Sequence, residues 1–182
     1  AGQDNEIVAI KYFTANVSDT RDDPTKSTRQ DTYFRALEAT CPKLRIYRGQ
    51  FQRKQKQRPL VNRDGSAGRL VTIWNTEEKG SDVNLAVELV NDAWLNVFDM
   101  AVVISNDSDL ERALRIVKDM RKIVGVLVRG DATTVSLKKV ATFYRPLTEA
   151  SLAAALLPRE IAGTAIRIPD AWQRLEERAG VR

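Results

Sequence analysis

The sequence predicts an α/β fold, a three-layer sandwich on a mainly parallel sheet, and three observations carry that prediction. Short apolar runs of strand length, rich in β-branched residues, recur at residues 7–13, 100–104 and 123–128. Segments with apolar residues at helical spacing separate them, most clearly from Ser81 to Val97. Strands and helices alternate with short connections, no internal repeat and no low-complexity linker, which is the pattern of a sheet covered by helices on both faces.

Residues 7–13 form the first predicted strand, and the polar stretch 16–28, with Pro24 inside it, a loop. A helix is predicted over 28–40, where Tyr33, Ala36, Leu37 and Thr40 keep helical spacing and Cys41-Pro42 ends it. Strands follow at 44–47 and 70–74. Between them the basic stretch 50–58 reads as an exposed hairpin tip, followed by a turn at Asp64-Gly65. Val83, Ala86, Val87, Val90, Ala93, Trp94 and Val97 then mark one apolar face of a helix. The unbroken apolar run at 100–104 suits a central parallel strand, and Leu110, Ala113, Leu114 and Val117 predict a helix over 108–120. Ser108 and Glu111 read as its capping box. A strand at 123–128, a helix at 136–143, a strand at 144–147 and a helix at 149–157 stopped by Pro158 complete the series, with one short helix around Trp172. Trp74, Trp94 and Trp172 are expected in packing positions, and Cys41 as a small residue at least half-buried.

Composition limits the chemistry. The 182 residues include 29 Lys and Arg against 24 Asp and Glu, a single cysteine, and no histidine. A chain of this length buries enough surface for one core, read here as a domain over residues 1–160 and an extension over 161–182. Histidine-containing triads and dyads, His-ligated zinc or iron, and Cys-x-x-Cys sites are all excluded. Carboxylates, hydroxyls, Lys or Arg, or a hard cation must carry any reaction. No run reaches the roughly 20 apolar residues of a membrane span, and residues 1–3 do not begin a signal peptide. The expectation is a soluble cytoplasmic protein with no membrane contact.

In a parallel α/β sheet each helix starts near the carboxyl edge of the strand before it, so strand ends and first helical turns meet on one rim. Glu77 and Glu78 follow the strand at 70–74, Asp82 lies in the first turn of the next helix, Asp107 follows the strand at 100–104, and Asp109 opens the helix after it. Topology thus gathers Asp82, Asp107 and Asp109, with Glu78 beside them. Clustered carboxylates repel one another, and an all-oxygen donor set selects Mg²⁺, Mn²⁺ or Ca²⁺. Asp82 and Asp109 also have a structural reading, as acids complementing a helix dipole.

Basic charge is concentrated elsewhere, with nine basic residues between Lys43 and Arg69 against one acid, Asp64. Arg53, Lys54, Lys56 and Arg58, beside Phe51, suit a phosphate backbone, as does Lys79; a solvated surface is the plainer reading of each. Asp131, Thr133, Thr134 and Ser136 are candidates for phosphate contacts at a helix start, or for caps.

Two segments carry a resemblance. Glu77-Glu78-Lys79-Gly80-Ser81-Asp82-Val83-Asn84-Leu85-Ala86 and Phe98-Asp99-Met100-Ala101-Val102-Val103-Ile104-Ser105-Asn106-Asp107-Ser108-Asp109-Leu110 resemble the bacterial NYN-domain proteins of the PIN-like nuclease superfamily, over about Ile7 to Pro158. Tyr12-Phe13-Thr14-Ala15 and Arg29-Gln30-Asp31-Thr32-Tyr33 match as well. The resemblance implies PIN-like (Rossmann-like) topology and a Mg²⁺- or Mn²⁺-dependent ribonuclease that hydrolyses RNA by metal-activated water. Asp82, Asp107 and Asp109 would be the catalytic and metal-holding acids, Glu78 a helper to the metal, and Arg53, Lys54, Lys56, Arg58 and Lys79 the nucleic-acid contacts. Family members open with a strand ending in Asp-Gly-x-Asn, whose Asp is a principal ligand, and this chain begins at Ala1-Gly2-Gln3-Asp4-Asn5 without it. The expectation is therefore a domain lacking its first strand, with a non-catalytic RNA-binding or regulatory module as the alternative; RNA is the expected partner in either case, and a homo-oligomer is compatible with both. Arg129-Gly130-Asp131-Ala132-Thr133-Thr134 also departs from the Asn-Pro-containing stretch usual there.

Overall fold

The computed structural model describes residues 5–130, 135–170 and 172. Its strands divide between two three-stranded sheets. In the first, β1 (Ile10–Asn16) pairs in parallel with β2 (Leu44–Val61), and β2 pairs antiparallel with β3 (Ala67–Lys79). The second is wholly parallel, in the order β4 (Met100–Ile104), β5 (Ile123–Arg129), β6 (Phe143–Leu147). Helices α1 (Lys26–Thr40), α2 (Ser81–Trp94), α3 (Glu111–Asp119), α4 (Val135–Val140) and α5 (Glu149–Ala154) complete the series. The α/β class and the predominance of parallel pairing match the sequence expectation. None of the helices is long and apolar enough to cross a membrane, among the described residues.

The core belongs to the second sheet. β5 is its central strand; Val124, Val126 and Val128 share one face and are all buried, while Ile123 on the opposite face is exposed and Leu127 half-buried. Leu114 and Val117 of α3, Leu137 and Val140 of α4 and Ala93 of α2 close over them. Around β1 a smaller aromatic group forms, in which Tyr12 stands edge-on to Tyr33 and to the buried Phe34 of α1.

α2 joins the two sheets. Its Leu85, Ala86, Leu89 and Val90 pack on the core of the second sheet. Its other side meets the first sheet through Lys11 of β1, whose Nζ lies 2.7 Å from Glu88 and 2.6 Å from Asp92, with Tyr47 of β2 donating to Glu88 at 3.0 Å. The first turn of α2 lies against Gly49 of β2, opposite the carboxyl end of β1, where a Cβ on Gly49 would fall 2.6 Å from the Lys79 carbonyl oxygen. Lys11, at the amino end of β1, pairs with the last turns. α2 therefore runs antiparallel to β1 and β2, and β4, which returns from it, runs parallel to β1. Neither β1 nor β4 has a second strand partner among the described residues, so two parallel edges stay open.

Several expectations are corrected. The stretch 50–58 is not a loop tip but the middle of an 18-residue strand, paired residue by residue with β3. Gln, Lys and Arg have aliphatic stems that a ribbon accepts, and the turn forms at residues 62–66, where Gly65 takes φ 82°. Glu77 and Glu78 lie within β3, not after a strand ending at 74. Residues 7–9 precede β1, and Ile7 and Val8 are exposed. On α2 the periodicity finds the helix, but Val83, Val87 and Trp94 of the marked face are exposed, and the inward face is that of Leu85, Ala86, Leu89, Val90 and Ala93. Trp74 and Trp94 are 58% and 76% exposed, not packed. Trp172 is half-buried, edge-on to Tyr33, and Cys41 is half-buried as expected. Most of the helix predicted around Trp172 lies outside the described residues.

Lys11→Met leaves Glu88 and Asp92 without their cation and is expected to lower stability by about 1–3 kcal/mol in urea unfolding at pH 7. Hydrogen bonding from Lys11 holds the Glu88 carboxyl below its ordinary value of 4.5, against the opposing effect of burial. That stabilisation is present above pH 4.5 and is lost as pH falls through the depressed value. The effect of Lys11→Met should accordingly shrink at pH 3, and an equal loss at both pH values would exclude the ion pair as its cause.

Candidate acidic rim and basic arm

The carboxyl ends of β3 and β4 and the start of α2 build one rim. Gly80, at φ 99°, turns the chain sharply from β3 into α2, a conformation open to glycine. Ser81, the buried polar residue at this corner, donates its hydroxyl to Glu78. Asp82 follows in the first turn. After β4 the Ser105 hydroxyl accepts from the Asp107 N–H at 3.0 Å, and the Asp107 carboxylate accepts from the Asp109 N–H at 2.9 Å. Asp107 is thus the cap of a short 3-10 turn, Ser108–Leu110, that precedes α3. The predicted Ser108–Glu111 box does not form; the tighter first turn moves the cap back one residue, and Glu111 pairs with Arg115.

The rim is electrostatically coupled. The Asp82 carboxyl is raised from its ordinary value, first by loss of water, then by the negative charges of Asp107, Glu78 and Asp109. The three other acids that topology placed at this rim therefore all bear on Asp82. The spacing is looser than a coordination sphere, since no three acidic or cysteine side chains could hold a metal ion among the described residues. The donor chemistry suits a hard cation and the arrangement does not, with Glu78 committed to Ser81 and Asp107 to a backbone N–H.

Glu77 points the other way. Hydrogen bonds from Lys56 and Lys79 hold its carboxyl down at about 2, and Asn75 adds another at 2.7 Å. Lys56 and Lys79, both expected to hold phosphate, are engaged with this acid. Lys54 and Arg58 are exposed, without a carboxylate partner among the described residues, and Arg53 lies 4.5 Å over the Trp74 ring. The strand alternation separates these cations: Lys54, Lys56 and Arg58 share one face of the ribbon, and Arg53 is on the opposite face. Sequence reasoning missed Trp74 and the ribbon itself; alternation of Gln with Lys and Arg over 50–58 was the available signal. Asp131, Thr133 and Thr134 lie outside the described residues, and the Ser136 hydroxyl is buried with no hydrogen-bond partner among the described residues.

Comparison with known proteins gives three findings. The NYN domain family model matches residues 2–148. The 6-hydroxy-3-succinoylpyridine 3-monooxygenase HspA of Pseudomonas putida (strain DSM 28022 / S16) is 29% identical over 185 residues, which cover 92% of this chain and 58% of that protein. The chain thus spans less than two thirds of that relative. A protein of unknown function, VPA0982, from Vibrio parahaemolyticus RIMD 2210633, shares the fold, with a TM-score of 0.51 at 20% identity over 81% of this chain and 74% of that one.

Asp107→Asn is expected to bring the Asp82 titration down toward 3.8, read from carboxyl carbon-13 shifts, and Glu78→Gln to do so by less. An unmoved Asp82 in both variants would show that these acids do not face one another.

Proposed function

The chain belongs to the NYN domain family and has its nuclease-like fold, and from that premise we propose that it is a metal-dependent ribonuclease domain that hydrolyses RNA phosphodiester bonds. The observation that carries this reading is the gathering of Asp82, Asp107, Asp109 and Glu78 where β3 and β4 end and α2 begins, with the Asp82 carboxyl raised by burial and then by its acidic neighbours. Perturbed carboxyls on such a rim are a mark of a reacting centre. Asp82, Asp107 and Asp109 are the proposed catalytic acids, with Glu78 assisting; they supply the oxygens a hard cation would use but would have to draw closer together to hold it, and Lys54 and Arg58 are the cations that remain available to phosphate. Mg²⁺ or Mn²⁺ is proposed on donor chemistry alone, and no step of the cleavage is built on the ion.

The same reading accounts for the open edges of β1 and β4. Each of these edges is open to pairing with a further strand. A strand ending in Asp-Gly-x-Asn, the motif that opens members of the family in the resemblance above, would bring another carboxylate to this rim.

The relative from Pseudomonas putida is named for a different chemistry, oxygenation of a pyridine. This chain spans little more than half of that protein, so that activity is not carried over to it. Nothing in its geometry favours that activity over action on RNA.

Cleavage of a labelled single-stranded RNA is expected in Mn²⁺ or Mg²⁺ and absent in EDTA, with Asp107→Asn reducing the rate by roughly 100-fold or more while the circular dichroism spectrum is kept. Cleavage without divalent ions, or full activity of the variant, would refute the reading. RNA that is bound and left intact with every ion would replace it with the non-catalytic module.

A further inference from the structure

How the RNA is held is a separate question, which rests on the reading just given. Pairing of β2 with β1 ends at Gln50, and from there β2 and β3 continue as a two-stranded arm to the turn at residues 62–66. Side chains alternate between its faces. Phe51, Arg53, Trp74 and Glu78 share one face, and Lys54, Lys56, Arg58 and Glu77 the other. The first face is the one continuous with the acidic rim, because Glu78, which acts on Asp82, stands directly opposite Phe51 in the ribbon.

That face is aromatic and uncovered. Trp74 is 58% exposed and Phe51 41%. Trp74 opposes Gln55, four residues beyond Phe51, so the two rings lie about 13 Å apart along the strand direction at ~3.3 Å per residue. The Arg53 guanidinium already lies over the Trp74 ring, giving a flat cation of the kind on which bases stack. Residues 51–76 contain six basic residues and one acid, a net charge equal to the +5 of the whole chain. Two such arms repel each other, whereas a polyanion is drawn to either, which favours nucleic acid over a second copy of the chain.

We propose that this face is a stacking platform for single-stranded RNA. One base stacks on Phe51 and another on the Arg53–Trp74 pair, which leads the strand along β2 and β3 toward Asp82. Lys54 and Arg58, on the reverse face, raise the local potential without touching the bases. A duplex, whose bases already stack on one another, gains nothing from the platform.

The test is fluorescence anisotropy with a labelled oligouridylate RNA in EDTA, so that binding is read without cleavage. Trp74→Ala and Phe51→Ala are each expected to weaken binding roughly 5- to 150-fold, the range for loss of one stacked base. Trp74→Phe, which keeps a ring, is expected to retain most of it and guards against a folding defect. Lys54→Glu is expected to weaken binding through its salt dependence alone, with no change in the quenching of tryptophan by RNA. Unchanged binding in both alanine variants overturns the proposal. So does sedimentation showing that Trp74→Ala dissolves a dimer while RNA affinity is kept. Binding that depends on Trp74, with no cleavage under any ion, upholds the platform and refutes the ribonuclease; cleavage with binding indifferent to Trp74 does the reverse.

Discussion

Everything in this molecule hangs on one helix having two kinds of neighbour. α2 presents Leu85, Ala86, Leu89 and Val90 to the core of the parallel sheet and Glu88 and Asp92 to Lys11 of the other sheet. Burial alone would lower the Lys11 ammonium, yet the hydrogen bonds to Asp92 and Glu88 outweigh it and its pKa is raised, so both ends of the contact stay charged. The two sheets share no strand pairing among the described residues, and α2 is the helix that contacts both. The acidic rim draws on all three. Asp82 comes from the start of α2, Glu78 from the end of one sheet, and Asp107 and Asp109 from the end of a strand in the other.

The second sheet was legible because its elements obey one rule each. β4 and β5 are unbroken apolar runs bounded by polar turns, and Leu110 with Ala113, Leu114 and Val117 of α3 repeats at helical spacing; in the helix and on the inner face of β5 burial and pattern coincide. The first sheet was harder. β2 beyond Gln50 is a strand with no buried side, held by backbone pairing to β3, and pattern reading looks for burial. A run such as Gln-Arg-Lys-Gln-Lys-Gln-Arg has no apolar alternation to betray it. On α2 the fault was of a different kind, since apolar residues cover more of its circumference than one sheet covers. Val83, Val87 and Trp94 remain exposed, as does Ile104 of β4.

The rim was readable before the fold was known, because strand-to-helix junctions in parallel sheets fall on one edge whatever the side chains. That rule predicts company but not distance. Asp82 senses three other acids, but capping by Asp107 and the Ser81–Glu78 hydrogen bond were matters of local turn geometry, and they set how tightly the oxygens converge. The basic residues show the same divide. Counting charges located the arm, while only the register shows that Lys56 and Lys79 serve Glu77 and that Arg53 is on the other face.

The two charged features also constrain each other. A rim of four carboxylates repels a phosphate backbone, and at a Debye length of about 8 Å in physiological salt that repulsion acts only close by. The arm attracts the same backbone, and it carries a net charge equal to that of the whole chain, so the remaining body is neutral in sum. A polyanion approaching from solution therefore meets the arm first and aligns along it. It reaches the rim only if something there offsets the acids, and that is what a hard cation bound among the carboxylates would do. On this argument attraction and reaction are separated in space: the ribbon captures the strand, and the junctions at the ends of β3 and β4 determine whether it is cut.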